Sequence, residues 1–226
     1  MMVNKKKETA AVAALDFIED NMIVGLGSGS TASLFIEKLA EYAKQAQLTL
    51  TCVATSEKSA ALATSLGLNV VDLDDIDQID VTIDGADEVD AHLNGIKGGG
   101  AALLYEKIVA QSSKRNVWLV DTTKVREHLG QTKLPIEVIP FGSTHIFNYL
   151  KTHGLNPVFR RNVNKTLLET DSVNYIIDID ISEIKDLHQF GSDLEDFAGV
   201  VEHGLFLDVC DDLIIGDDDS VEIVQK

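Results

Sequence analysis

The chain has 226 residues, of which 37 are acidic and 19 basic, for a formal net charge of −18 at pH 7, and 45% of it is hydrophobic. That length holds one large domain or two smaller ones with a real core. The charge argues against nucleic acid or an anionic membrane surface as partner, since both would repel the chain at long range. A phosphorylated ligand would need a local basic pocket.

Lys5 to Lys7 followed by AAVAALDFI has the outline of a signal peptide, but the apolar run is short and is interrupted by Asp16, Glu19 and Asp20. The pattern predicts an amphipathic helix instead, with Ala11, Ala14, Leu15 and Ile18 on one face. No run approaches the roughly eighteen apolar residues of a membrane span, so a soluble protein is expected. Cys52 and Cys210 lie in apolar runs without metal-ligand spacing and read as buried free thiols, which fits a reducing cytoplasm.

Met22 to Leu26 is a short apolar run that breaks into Gly27, Ser28, Gly29, Ser30 and Thr31 before a helical pattern with Ala32, Phe35, Ile36 and Leu39 on one side. Strand, glycine turn and helix N-terminus make a ready anion site, although a tight turn that binds nothing has the same signature. Strands are then predicted over 48–54, 68–73, 79–83 and 117–120, with helices over 59–66 and 101–112. This alternation implies right-handed βαβ units and a parallel sheet covered by helices on both faces. Ser28 to Thr31, Thr55 and Ser56, Asp84 to Asp87, and Thr122 to Lys124 all follow the carboxyl ends of strands, so they should share one edge of the sheet.

The pattern changes near Leu134. Pro135 and Pro140 bracket IEVIP, a helix is predicted over 143–153, strands over 156–160, 166–169 and 175–181, and a second helical piece over 192–197 before the apolar run at 200–209. These elements suggest a small α+β domain of the split βαβ, ferredoxin-like kind. The tail, 213–215 and 221–224 around GDDDS, reads as a hairpin returning to the first domain. The expected architecture is a Rossmann-like, mostly parallel sheet over 1–131, the small domain over 132–206, and a returning segment over 207–226.

Chemistry concentrates between Val81 and Glu106. An apolar strand delivers Asp84, Gly85, Ala86 and Asp87 to the ligand-binding edge, and Lys97 stands directly before Gly98, Gly99 and Gly100. The glycines let backbone approach a ligand closely, and the lysine supplies charge that amides only partly provide. Glu106 follows on a helix with Leu103 three residues before it and Val109 three after, so it falls beside the buried stripe, which weakens without removing the bland reading of a solvated helical glutamate. The bland readings are turn-capping aspartates and an unremarkable lysine. His92 reads as a surface residue, and the carboxylates lack the regular spacing of an EF-hand.

At these residues the chain closely resembles ribose-5-phosphate isomerase of the A type. The matching blocks are IVGLGSGSTA (23–32), VTIDGADEVD (81–90), IKGGGAALLYEKIVA (96–110), KLPIEVIPFG (133–142) and VVEHGLF (200–206), in the family's order over nearly the whole chain. The resemblance implies interconversion of ribose 5-phosphate and ribulose 5-phosphate; because that reaction has no redox step and Lys97 can stabilise an enediolate, no cofactor or metal is expected. It implies that Ser28, Gly29, Ser30 and Thr31, the Asp84 to Asp87 segment, the Lys97 to Gly100 segment and Lys124 bind substrate, that Glu106 is the catalytic base, and that the chain forms a homodimer or homotetramer. Ser28 stands where threonine is common, and TDSVN (170–174) replaces a more usual TDNGN, which puts the shape of that loop in question.

An aldose–ketose isomerisation moves a proton between adjacent carbons through a cis-enediolate, so it needs one base that reaches both carbons and donors for the oxyanion. Glu106 suits the first task, Lys97 and the amides of Gly98 to Gly100 the second, and Asp84 and Asp87 the hydroxyl protons. For the phosphate, the helix start at Ser28 to Thr31 is favoured on dipole grounds, with Lys124, Lys5 to Lys7 or Arg126 as helpers. Two rivals remain at this point. A dinucleotide-dependent oxidoreductase is disfavoured because Ser30 occupies the third glycine position of G-x-G-x-x-G and Glu57 lies beyond two hydroxyl residues rather than at the strand tip. A non-catalytic sugar-phosphate-sensing module would have no reason to keep Asp84, Lys97 and Glu106 together.

Overall fold

The computed structural model describes residues 5–226. Helix α1 (Lys5–Ala13) leads through a 3-10 turn into β1 (Ile23–Leu26), α2 (Gly29–Ala46), β2 (Thr51–Ala54), α3 (Glu57–Ser65), β3 (Asn69–Val70) and β4 (Val81–Gly85). Two short strands, β5 (Glu88–Val89) and β6 (Gly95–Ile96), precede α4 (Leu103–Gln111) and β7 (Asn116–Asp121). The chain continues with β8 (Leu134–Val138), α5 (Ser143–Thr152), β9 (Val158–Phe159), β10 (Tyr175–Ile179), α6 (Leu187–Glu195), β11 (Val200–His203), β12 (Leu205–Phe206), β13 (Asp212–Gly216) and β14 (Val221–Gln225).

Seven strands form the central sheet in the order β14-β13-β7-β4-β1-β2-β3, parallel throughout except for the β13–β14 hairpin. The tail therefore does return to the first sheet, pairing β13 with β7 in register from Asp212 opposite Val117. Alternation along the strands divides the core. Val24, Leu26, Cys52, Val81, Ile83, Val117 and Leu119 pack under α1 and α2, while Val53, Trp118 and Val120 face the other way. That second face is covered by α4 and by a three-stranded antiparallel sheet, β12-β6-β5, rather than by helices alone. The sequence did not signal β5 and β6, because two-residue strands are too short to show a period.

A separate four-stranded antiparallel sheet has the order β11-β8-β10-β9. With α5 between β8 and β9 and α6 between β10 and β11, this is the split βαβ order expected from the sequence. Its apolar face, including Leu134, Ile136, Ile177 and Ile179, packs against Ile146 and Leu150 of α5 and Leu194 of α6.

Several element boundaries move. The strand predicted at 68–73 shrinks to Asn69–Val70, an edge strand with a single neighbour, and Leu73–Asp75 turns as 3-10 helix. The strand predicted at 48–54 begins only at Thr51. The second small-domain helix starts at Leu187, five residues before the prediction, because the Asp186 side chain caps it by accepting from the Gln189 N–H. The strand predicted at 166–169 is reduced to isolated bridges, Arg161 with Leu167 and Glu169 with Tyr175. In the TDSVN loop, Val173 takes a left-handed φ of 59° and donates its N–H to the Thr170 carbonyl, a closed turn built without the usual glycine. Cys52 and Cys210 are buried and unpaired. No helix among the described residues is long and apolar enough to cross a membrane.

Candidate active site

The order β7-β4-β1 sets three strand ends side by side, and the segments that follow them meet at one cleft, about 480 Å³ counting the open solvent at its mouth. Ser28, Gly29, Ser30 and Thr31 come from the β1–α2 turn, Gly85, Ala86 and Asp87 from beyond β4, Lys97 to Gly100 from beyond β6, Glu106 from α4, and Lys124 from beyond β7. Of the residues predicted to bind substrate or act in catalysis, Asp84 alone is absent from the cleft wall, and of the proposed phosphate helpers Lys7 and Lys124 line it.

Asp84 lies just behind that wall and organises it. One carboxylate oxygen accepts the N–H groups of Ser28 (2.9 Å) and Gly85 (2.7 Å), and the other accepts from Lys97 Nζ at 2.7 Å. The turn can come this close only because position 27 is glycine, where an added Cβ would lie 2.0 Å from Asp84 Oδ1. Lys97 is buried and also donates to the Gly85 carbonyl, and its ammonium sits 5.3 Å from the centre of the Phe206 ring. Burial by itself would lower the Lys97 pKa, but the carboxylates of Asp84 and Glu106 outweigh it and hold the pKa above the usual lysine value. The lysine is a fixed cation.

Glu106 is 5% exposed, against the usual solvation of helical glutamates. Its Oε2 is 3.5 Å from Lys97 Nζ, an ion-pair contact without an aligned hydrogen bond, and it has no hydrogen-bond partner among the described residues. Burial raises the carboxyl to about 8; Lys97 opposes that shift, and the negative charges of Asp84 and Asp87 reinforce it. A buried carboxyl with one free oxygen, tuned near neutral pH and facing a polar cleft, has the properties of a general base. The helix buries Leu103, Glu106, Lys107, Val109 and Ala110, while Ile108, also apolar, is 39% exposed.

Asp87 accepts the Gly99 N–H at 2.7 Å, and a Cβ at Gly99 would lie 2.6 Å from it. Gly98 has a φ of +99° and packs so closely on Leu103 and Pro135 that a side chain there would collide with both. At the opposite end of the cleft, the Ser28 hydroxyl does not cap α2 but joins the hydroxyls of Thr55 (2.7 Å) and Ser56 (2.8 Å). The first-turn amides of α2 therefore stay available at the cleft. Lys7 reaches Ser30 Oγ at 2.8 Å, and neither Lys7 nor Lys124 is ion-paired with a carboxylate among the described residues.

The other basic candidates point elsewhere. Lys5 pairs with Asp219, Lys6 pairs with Asp217, and Arg126 turns to Glu88 at 3.8 Å. His92 is exposed, as expected. Sequence reasoning missed Thr55 and Ser56 as partners of Ser28, Phe206 beneath Lys97, and Arg160, which donates to the carbonyls of Gly98 and Gly99. The first pair was detectable, since both hydroxyls follow a strand at the predicted edge. Nothing local marks Phe206 or Arg160, whose roles arise from contacts more than 60 residues away in sequence.

A parallel α/β sheet with a buried carboxyl, a buried ammonium and two unpaired lysines at its carboxyl edge defines an enzyme class, one that moves protons on a small anionic substrate without needing a large apolar pocket. The comparisons narrow that class. The sequence profile of ribose 5-phosphate isomerase A (phosphoriboisomerase A) matches residues 51–220, and the chain belongs to that family. It is 47% identical over 221 residues to ribose-5-phosphate isomerase A of Levilactobacillus brevis, covering 98% of this chain and 97% of that one. It is 50% identical over 216 residues to the bifunctional ribokinase/ribose-5-phosphate isomerase A of Fructilactobacillus sanfranciscensis, covering 96% of this chain but only 40% of that longer protein. A solved structure of D-ribose-5-phosphate isomerase in complex with phospho-erythronic acid superposes with a TM-score of 0.95 at 39% identity, each chain covered in full.

Proposed function

We propose that this chain interconverts D-ribose 5-phosphate and D-ribulose 5-phosphate through a cis-enediolate, with Glu106 as the single base. The observation that carries the assignment of roles is the Glu106 carboxyl, buried, raised to about 8 and left with one oxygen unbonded 3.5 Å from a fixed ammonium. Glu106 takes the proton from C2 of the open-chain aldose and returns it to C1 on the same face. Lys97 and the free amide at Gly100 stabilise the enediolate oxygens as charge develops. Asp84 has both oxygens occupied by backbone amides and Lys97, so it holds the cation in place. Asp87, which lines the cleft, handles hydroxyl protons and ring opening. The phosphate is held by the α2 N-terminus at Ser28 to Thr31, with Lys7 and Lys124 supplying positive charge in an otherwise acidic protein.

The same reading includes the division into a Rossmann-like unit (1–131), a small α+β unit (132–206) and a returning segment (207–226), supported by the separate four-stranded sheet β11-β8-β10-β9, although β12 at the end of the small unit pairs with β6 of the first. It also includes a homodimer or homotetramer in the cytoplasm. Support for association comes from large apolar side chains left exposed on the small unit, Phe141 at 91% and Val158 at 50%. The test is Glu106→Gln in a continuous ketose assay with ribose 5-phosphate and no added cofactor. The parent should turn over and the variant should lose on the order of 10²–10⁴ in kcat; near-normal turnover in the variant would remove Glu106 from the role.

A further inference from the structure

The glycine run at 98–100 is held from outside the cleft by a side chain of the small antiparallel sheet. Arg160, just beyond β9, donates from Nη1 to the Gly98 carbonyl at 2.7 Å and the Gly99 carbonyl at 3.2 Å. Its Nε donates to Asp178 Oδ2 at 2.9 Å and its Nη2 to Asp178 Oδ1, so a two-pronged pair with β10 fixes the plane of the guanidinium before it reaches the loop.

A trans peptide is planar, so its N–H points opposite to its own carbonyl, and no cis peptide occurs among the described residues. Turning the Gly98 and Gly99 carbonyls toward Arg160 therefore turns the N–H groups of Gly99 and Gly100 toward the cleft. The Gly99 N–H meets Asp87; the Gly100 N–H has no acceptor among the described residues and lies in the cleft wall. Glycines carry no side chain to resist rotation of these planes. The Gly98 carbonyl also accepts the Ala101 N–H at 2.9 Å, whereas the Gly99 carbonyl meets Arg160 alone among the described residues, so the orientation of the Gly100 amide depends on a contact from the other sheet.

We propose that Arg160 is a positioning residue for the isomerisation. It fixes the Gly99–Gly100 peptide plane, next to a Gly98–Gly99 plane that Ala101 and Asp87 also hold, so that the Gly100 N–H stands ready for the oxygen on which negative charge builds. The inference rests on the isomerase reading above. A donor held in advance acts mainly on the enediolate, where charge is greatest, and little on the bound sugar.

Arg160→Met, Arg160→Lys and Asp178→Asn are to be compared with the parent for kcat and KM on ribose 5-phosphate, for inhibition by phospho-erythronic acid, whose carboxylate resembles the enediolate oxygens, and for melting temperature. Arg160→Met is expected to lower kcat at least about tenfold, part of the 10²–10³ lost when an oxyanion donor is removed outright. KM should stay within about threefold, and affinity for phospho-erythronic acid should fall in step with kcat/KM. Arg160→Lys keeps a cationic donor and should recover part of the loss. Unchanged kcat in Arg160→Met, or a raised KM with kcat intact, overturns the proposal. If Arg160→Met does not fold, Asp178→Asn decides, because it keeps the arginine and loosens only its anchor: lowered kcat with KM preserved supports the role, and parental kcat overturns it. A parent that does not isomerise ribose 5-phosphate would instead overturn the functional reading, so the two failures are distinguishable.

Discussion

Two buried lysines flank the same aromatic ring, and their surroundings explain why one stands at a reaction centre. Lys97 lies 5.3 Å from the Phe206 centroid and Lys107 lies 4.9 Å from it. Around Lys97, the Asp84 carboxylate is saturated and the Glu106 carboxyl is left partly unbonded, beside a cleft with two further unpaired lysines. Around Lys107 the pairing is closed, since its ammonium donates to Glu202 and to the His203 carbonyl. Burial pushes Lys107 below the usual lysine value despite Glu202, whereas Lys97 is held above it. Burial and the nearby Lys107 charge likewise drive His203 down to about 4, so this imidazole is neutral. Its Nδ1 accepts the Leu205 N–H at 3.2 Å, which puts the proton on Nε2. That tautomer, with an ammonium alongside, makes the grouping of Glu195, Glu202 and His203 a poor cation site although its ligand atoms lie within 4.8 Å of one another. Both clusters border a surface hollow, since Lys107, Glu195 and His203 line one of their own, yet only the first sets a carboxyl raised to about 8 beside a fixed ammonium.

The sharpest way to break this comparison is to remove each lysine. Lys97→Met strands the buried Asp84 carboxylate and should cost on the order of 3–5 kcal/mol in denaturant unfolding, and Lys107→Met strands the partly buried Glu202 and should cost less. Only Lys97→Met should also lose about 10²–10³ in kcat, because only its charge meets the enediolate. Equal kcat losses in the two variants would show that the ring-flanking cations act together.

The next effect is on pH. Glu106 must be ionised to act, and in the free protein it titrates at about 8, so kcat/KM should rise about tenfold per pH unit below that value and level off above it. The same group works against stability. Folding raises its pKa, so the folded state binds more protons between the ordinary carboxyl range and about 8, and stability falls as pH rises through that window. Glu106→Gln should therefore melt progressively higher than the parent as the buffer moves from about pH 5 to about pH 9. A melting difference that is flat with pH would refute the raised carboxyl. The smallest effect is at the phosphate end. Lys124→Ala and Lys7→Ala should each raise KM for ribose 5-phosphate by about tenfold or less and leave unphosphorylated ribose unaffected, as steady-state assays on both sugars would reveal.

Much of this was legible along the chain because it is local. The switch from apolar strand to glycine turn to helix marks β1 and α2, and the same logic places Asp84 and Asp87 beyond β4, so a shared edge of parallel strand ends follows from the βαβ rhythm, whereas the order of the strands does not. Glu106 was marked by its place beside the α4 stripe, although Ile108 on that helix turned outward to solvent. The short strands β5 and β6 were not legible, and they are what swing Lys97 back toward Asp84 across thirteen residues.

The sequence by itself determined which residue types arrive at the sheet's carboxyl edge, since strand and helix periods and glycine turns are written in neighbouring positions. Only the tertiary structure decided their chemical state. Glu106 becomes a near-neutral acid because α4 is pressed against the sheet and water is excluded. Asp84 becomes a buttress because backbone amides and one ammonium use up its oxygens. Arg160 reaches the glycine loop because two separate sheets pack together. Burial and partner geometry are sums over distant segments, and no stretch of chain carries that sum alone.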